Sequence, residues 1–169
     1  MTDQNSEKRV LALDVHPQSF GFVVFEGPNR MLDWGVKSFR PGVNAVKVPA
    51  GKKFLALLDE YSPAAVVIRE RPTGGATKRA TILAAVQRLM KNRRIPVRLI
   101  SQGAITRFFA GSESNKHEVA SALAQQFSLL LSKLPPRRKC WQGEDYRMSI
   151  FDAAAAGVAY FARYQKPKL

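Results

Sequence analysis

Arg9-Val10-Leu11-Ala12-Leu13-Asp14 is the stretch whose reading decides the fold. Its four consecutive apolar residues, Val10 to Leu13, read as a strand buried on both faces, as in the middle of a sheet with a parallel neighbour. Asp14 ends the run. In open α/β sheets ligands bind just outside the carboxyl ends of the strands, so the carboxylate marks that place and the question becomes what works with it.

Working outward, Phe20 to Phe25 is aromatic and β-branched and is closed by Gly27-Pro28-Asn29. Met31 to Phe39 alternates Leu32, Trp34 and Val36 with Asp33, Gly35 and Lys37, the pattern of an antiparallel strand near a sheet edge. Pro41 to Lys53 reads as a loop with Pro49 and Gly51 as breakers. The stripe Phe54, Leu57, Leu58, Tyr61 predicts an amphipathic helix stopped at Ser62-Pro63. Ala64 to Ile68 is a second wholly apolar strand, followed by Arg69-Glu70. The grammar of the first strand, a buried run and then a carboxylate, repeats there.

Arg71 to Lys78 reads as a basic loop, too glycine-poor for a phosphate loop. A helix at Arg79 to Arg93, apolar around much of its girth, suits either a buried core helix or a homodimer contact. Val97 to Ile100 is a short last strand, and Ser101 caps a short helix through Phe109. Asn115 and Glu118 form a capping-box pattern ahead of a helix at Lys116 to Leu131. A final helix is predicted from Asp145 to Tyr164, with Glu144 beside its start. The expected division is a disordered segment at 1–8, a single domain at 9–164 and a basic tail at 165–169. A meander followed by right-handed crossovers returns the fourth strand beside the first. That makes Asp14 and Glu70 neighbours.

Composition narrows the partners. The formal net charge is +14, from 27 Lys and Arg against 13 Asp and Glu, spread through sequence that looks folded. Such a balance favours a polyanion, nucleic acid before an anionic membrane, with a ribosome-type structural binder as the bland alternative. Cys140 is the only cysteine, which excludes an intrachain disulfide and a thiolate cluster and fits a reducing cytoplasm. No signal-like leader is visible, and the longest apolar run, Ala153 to Ala162, is too short for a bilayer, so no membrane partner is expected.

Carboxylates at the ends of adjacent parallel strands can reach a common ion, and several acids meeting in a basic protein call for a cation between them. Oxygen-only ligation selects Mg²⁺ or Mn²⁺. Asp152, alone in the apolar helix around Ile150 to Ala156, supplies a third acid, because a lone buried carboxylate is costly unless paired or metal-bound. Its alternative is a buried salt bridge with Arg69 or Lys116. Asp14, Glu70 and Asp152 would then hold metals for hydrolysis of a phosphodiester. Arg71, Lys78 and Arg79, nearest Glu70 in sequence, are the candidates for tracking a nucleic-acid backbone.

In their order along the chain, Asp14, Glu70 and the Phe151-Asp152-Ala153-Ala154 helix resemble the RNase H-like superfamily, and within it the RuvC-type Holliday junction resolvases. The resemblance implies a five-stranded mixed sheet, a three-strand antiparallel meander plus two parallel strands, flanked by helices. It implies a Mg²⁺-dependent endonuclease on structured DNA, with Lys116, near Gly111-Ser112, at the scissile phosphate. It also implies a fourth acid one turn before Asp152, where this chain has Ser149; Asp145, a further turn back, or Glu144 is the candidate substitute ligand. An RNA nuclease of the same fold and a nucleic-acid-binding module with weak or no catalysis are the competing readings. An actin-like phosphotransferase fits less well, because no glycine-rich phosphate loop is present.

Overall fold

The computed structural model describes residues 8–39, 47–71, 78–109 and 115–165. Strands β1 (Arg9–Val15), β2 (Ser19–Glu26) and β3 (Met31–Ser38) form the expected antiparallel meander. Helix α1 (Lys47–Tyr61) leads to β4 (Ala65–Arg69), α2 (Lys78–Asn92) leads to β5 (Val97–Ile100), and α3 (Gln102–Phe108), α4 (Lys116–Gln126) and α5 (Met148–Tyr164) follow. The sheet order is β3-β2-β1-β4-β5, with β4 and β5 parallel to β1, so β1 is central and the alternating, half-buried β3 lies at an edge. This is the five-stranded mixed sheet that the resemblance implies.

Strand alternation divides the core in two. Leu11, Leu13 and Val15 of β1, with Val66 and Ile68 of β4, pack under α1 and α2 against Phe54, Leu57, Ile82, Val86 and Met90. Val10 and Ala12, with Ala65 and Val67, face the other way onto α5, α4 and α3. The broad apolar girth of α2 is used within the chain: Ile82, Val86 and Met90 are buried, Leu83 and Leu89 pack against the same cluster, and Ala84, Gln87 and Arg88 point outward.

Helix α5 lies unusually close to the sheet, and two glycines account for it. A Cβ on Gly21 would run into the backbone and hydroxyl of Ser149, and one on Gly157 would enter the ring of Phe25. Phe25 has no room to yield, because Phe127 and Phe161 meet it edge-on at 5.9 and 5.5 Å. Every residue of α5 from Met148 to Phe161 is buried.

Three boundaries differ from the sequence reading. Helix α1 begins at Lys47 rather than near Phe54, with Pro49 in the first turn, where a missing N–H costs no helical hydrogen bond. Helix α4 carries the predicted Asn115–Glu118 capping box but ends at Gln126; Phe127 leaves the helix with φ −118° and ψ 90°, and a 3-10 stretch continues over Ser128–Lys133. Helix α5 starts at Met148, three residues later than expected, because the Asp145 carboxylate accepts hydrogen bonds from the backbone N–H and the guanidinium of Arg147 and holds a turn there. Among the described residues, no helix is long and apolar enough to cross a membrane.

Candidate functional site

Asp14 stands inside β1, opposite Gly21, on the face that α5 covers. Parallel pairing of β1 with β4 runs through Leu13 and Ile68, so the next residues, Asp14 and Arg69, stand side by side. Glu70 follows one position later, exposed, and its backbone N–H donates to Ile100 O. Strand alternation therefore turns Arg69, rather than Glu70, toward Asp14.

Asp14 is fully buried and saturated. His16 Nε2 lies 2.6 Å from Oδ2 and Ser149 Oγ donates to Oδ2 at 3.0 Å. Arg71 Nη2 donates to both carboxylate oxygens, at 3.1 and 3.0 Å, and Arg71 Nε reaches Oδ1 at 3.2 Å. A carboxylate has about four lone-pair sites, so this donor set leaves it little capacity for another ligand. Asp152, on α5, is bonded at Oδ2 by Lys116 Nζ at 3.0 Å and by Arg71 Nη2 at 3.3 Å. Arg69 Nη1 sits between the acids, 3.0 Å from Asp152 and 3.7 Å from Asp14, while Arg69 Nη2 donates to Gln102 at 2.6 Å. Nη1 is close enough for an ion pair but makes no aligned hydrogen bond. Its part is Coulombic.

The two acids titrate differently. Burial pushes Asp14 upward, but the His16 hydrogen bond and the charges of Arg71, His16 and Arg69 outweigh it, and the carboxyl lies below its ordinary range. For Asp152, burial and the nearby Asp14 charge prevail over Arg69 and Lys116, and its carboxyl is raised.

The remaining sequence candidates fall around this core. Lys116, at the first turn of α4, bridges Asp152 and Glu144. Asp145 lies outside α5, paired with Arg147 at 2.7 Å, so the i to i+7 relation to Asp152 on one helix does not arise. Arg79 is buried on α2; its Nε donates to Val15 O at 2.8 Å and its Nη2 to Arg69 O at 3.3 Å, which ties together the ends of β1 and β4. The Lys78 side chain and residues Gly111 and Ser112 lie outside the described residues. Arg69, which the sequence offers only as a salt-bridge alternative for Asp152, and His16 and Ser149, both bonded to Asp14, complete the cluster beyond the predicted site residues. The signal for Arg69 was present: it follows the apolar run Ala64 to Ile68 directly, as Asp14 follows Val10 to Leu13.

A resident divalent metal does not fit this arrangement. Among the described residues, no group of three or more His, Cys, Asp and Glu side chains is placed to hold a metal ion. The side chains that flank Asp14 from β4 and α5, Arg69 and Ser149, bring no carboxylate to it. The cation between the two acids is already supplied by guanidinium groups.

No protein-family model matches the chain and no curated protein sequence resembles it. Its fold is nevertheless shared with solved structures. RuvC of T. thermophilus, in complex with a Holliday junction substrate, superposes with a TM-score of 0.68 at 21% identity, over 92% of this chain and 95% of that one. The yeast mitochondrial Holliday junction resolvase Ydc2 gives 0.65 at 13% identity, over 91% and 78%. The fowlpox virus resolvase, with substrate Holliday junction DNA, gives 0.59 at 14% identity, over 94% and 99%. The chain has the fold of the RuvC-type Holliday junction resolvases.

Proposed function

We propose that this protein binds branched DNA across the face bearing Asp14 and Asp152, and that its own arginines, instead of divalent metal, neutralise that acid pair. One observation carries the reading: Arg69, with its side chain 8% exposed, occupies the strand position beside Asp14 and reaches Asp152 at 3.0 Å. A buried guanidinium between two carboxylates removes the repulsion that would otherwise recruit a metal ion. Branched DNA as the ligand is supported by the structures of the same fold solved with Holliday junctions, and by the +14 charge, which supplies phosphate contacts without sequence preference.

The second reading is a metal-dependent endonuclease on the same DNA. It is favoured by the resolvases among the solved structures that share the fold, and by the approach of Asp14 and Asp152 to one another around a single guanidinium. The deciding experiment incubates the protein with four-way junction DNA, duplex DNA and structured RNA, with and without Mg²⁺. Junction-selective binding that is indifferent to Mg²⁺, without strand cutting, is expected. Mg²⁺-dependent cutting abolished by Asp14→Asn would establish the endonuclease instead, and preference for RNA would replace the DNA reading.

A further inference from the structure

The segment between the 3-10 stretch and α5 carries two large aromatic side chains that the core does not use. Trp141 is 76% exposed and Tyr146 is 72% exposed, far outside the usual state of such rings, which bury most of their area or mark a contact surface. The segment is not loose at this point. Lys139 N–H donates to Gln142 Oε1 at 3.0 Å, and Gln142 N–H donates to Lys139 O at 3.0 Å, closing a turn around Cys140 and Trp141. Lys139 Nζ also stands 5.4 Å from the centre of the Trp141 ring. Three residues on from Trp141, Glu144 begins the stretch that the Asp145–Arg147 pair then fixes at the mouth of α5.

Arg137, Arg138 and Lys139 precede Trp141 directly in the chain, and the clefts beside them run on to the acid pair. Arg137 and Arg138 line a cleft of about 380 Å³ together with Lys116, the residue bonded to Asp152, and with the acids Glu144 and Asp145. Tyr146 lines a second cleft, of about 530 Å³, on the other side of the Glu144–Asp145 stretch, reaching His16, Ser149 and Asp152. An exposed tryptophan held on a closed turn, a second exposed aromatic and a run of cations beside a groove are the elements by which proteins hold unpaired nucleotides: rings stack on bases and cations follow the backbone. A protein partner would be served by the rings, but Arg137, Arg138 and Lys139 together would suit only an acidic one.

We propose that Trp141 and Tyr146 form a stacking surface for unpaired bases, with Arg137, Arg138 and Lys139 on the adjoining phosphates. The proposal rests on the DNA-binding reading above and adds where the strands open. It makes Trp141 a reporter as well as a contact. The chain contains two tryptophans, so Trp34→Phe leaves Trp141 as the remaining emitter. Oligothymidylate and four-way junction DNA should quench that emission, whereas blunt duplex should leave it nearly unchanged. Trp141→Ala should weaken binding of oligothymidylate and junction by about tenfold or more, with duplex affinity retained, and Trp141→Phe should restore most of the loss. If Trp34→Phe does not fold, the difference in quenching between the unaltered protein and Trp141→Ala gives the same reading. Binding of junction DNA with Trp141 emission unchanged, or an equal loss for duplex and junction, overturns the stacking surface and leaves the DNA-binding reading standing. Absence of binding to any DNA overturns both.

Discussion

Arg69 and Glu70 differ by one step along a strand, and that step decides the chemistry of the site. Side chains alternate faces in β-structure, so the residue in register with Asp14 meets it and the next one does not. A reading based on carboxylates near strand ends sees Glu70 and passes over Arg69, because register between two strands distant in sequence is set by packing that neither strand encodes alone. The same limit applies to His16, a turn residue whose 2.6 Å contact with Asp14 depends on how the β1–β2 turn folds back. Asp152 was legible, since a lone acid on an apolar helix requires a partner. Its partners include Arg69 and Lys116, the two salt-bridge alternatives that the sequence itself offers.

Two predictions belong to this scale. Arg69→Met should cost about 3–5 kcal/mol in urea unfolding, because it leaves two buried carboxylates short of a charge, and adding Asp14→Asn and Asp152→Asn should recover much of that loss. An equal loss in the triple variant would show that Arg69 acts through packing alone. The pH dependence has opposite signs for the two acids. The lowered Asp14 pKa contributes stability that is present above its unfolded value of 3.8 and lost as pH falls through the folded one. The raised Asp152 pKa contributes stability that is present below 3.8 and lost as pH rises through its folded value. Asp14→Asn should therefore destabilise more than Asp152→Asn at neutral pH, with the gap narrowing in acid.

At the scale of elements, α5 is the piece that brings the site together, and its approach depends on small residues opposite large ones. Gly157→Ala should cost about 1–3 kcal/mol by overpacking against Phe25, without change at the acid cluster, whose α5 residues Ser149 and Asp152 lie more than a helical turn away. Gly21→Ala acts where Ser149 donates to Asp14, so it should disturb the cluster as well as stability. Thermal unfolding with His16 ring resonances as a local probe separates the two, and an unchanged His16 signal in Gly21→Ala would contradict the close approach. The apolar pattern identified α5 and its depth. Its start was misplaced because the Asp145–Arg147 turn depends on a side-chain pairing, and the end of α4 was misplaced because Phe127 is drawn into the core against Phe25 while its neighbours Leu129 and Leu131 stay exposed.

For the whole molecule, strand order was the most legible property. Two wholly apolar runs that must both be buried, an alternating edge strand and right-handed crossovers admit few arrangements, and β3-β2-β1-β4-β5 is the one they favour. On the proposed reading the charge of +14 supplies affinity for DNA, while the arginines inside the site provide the positive charge that two acids require. The central claim is that these arginines take the place of a metal. Calorimetric titration of Mn²⁺ into the protein, beside an Asp14→Asn control, tests it most directly. No saturable heat is expected in either protein. Stoichiometric Mn²⁺ binding that disappears in Asp14→Asn would contradict it.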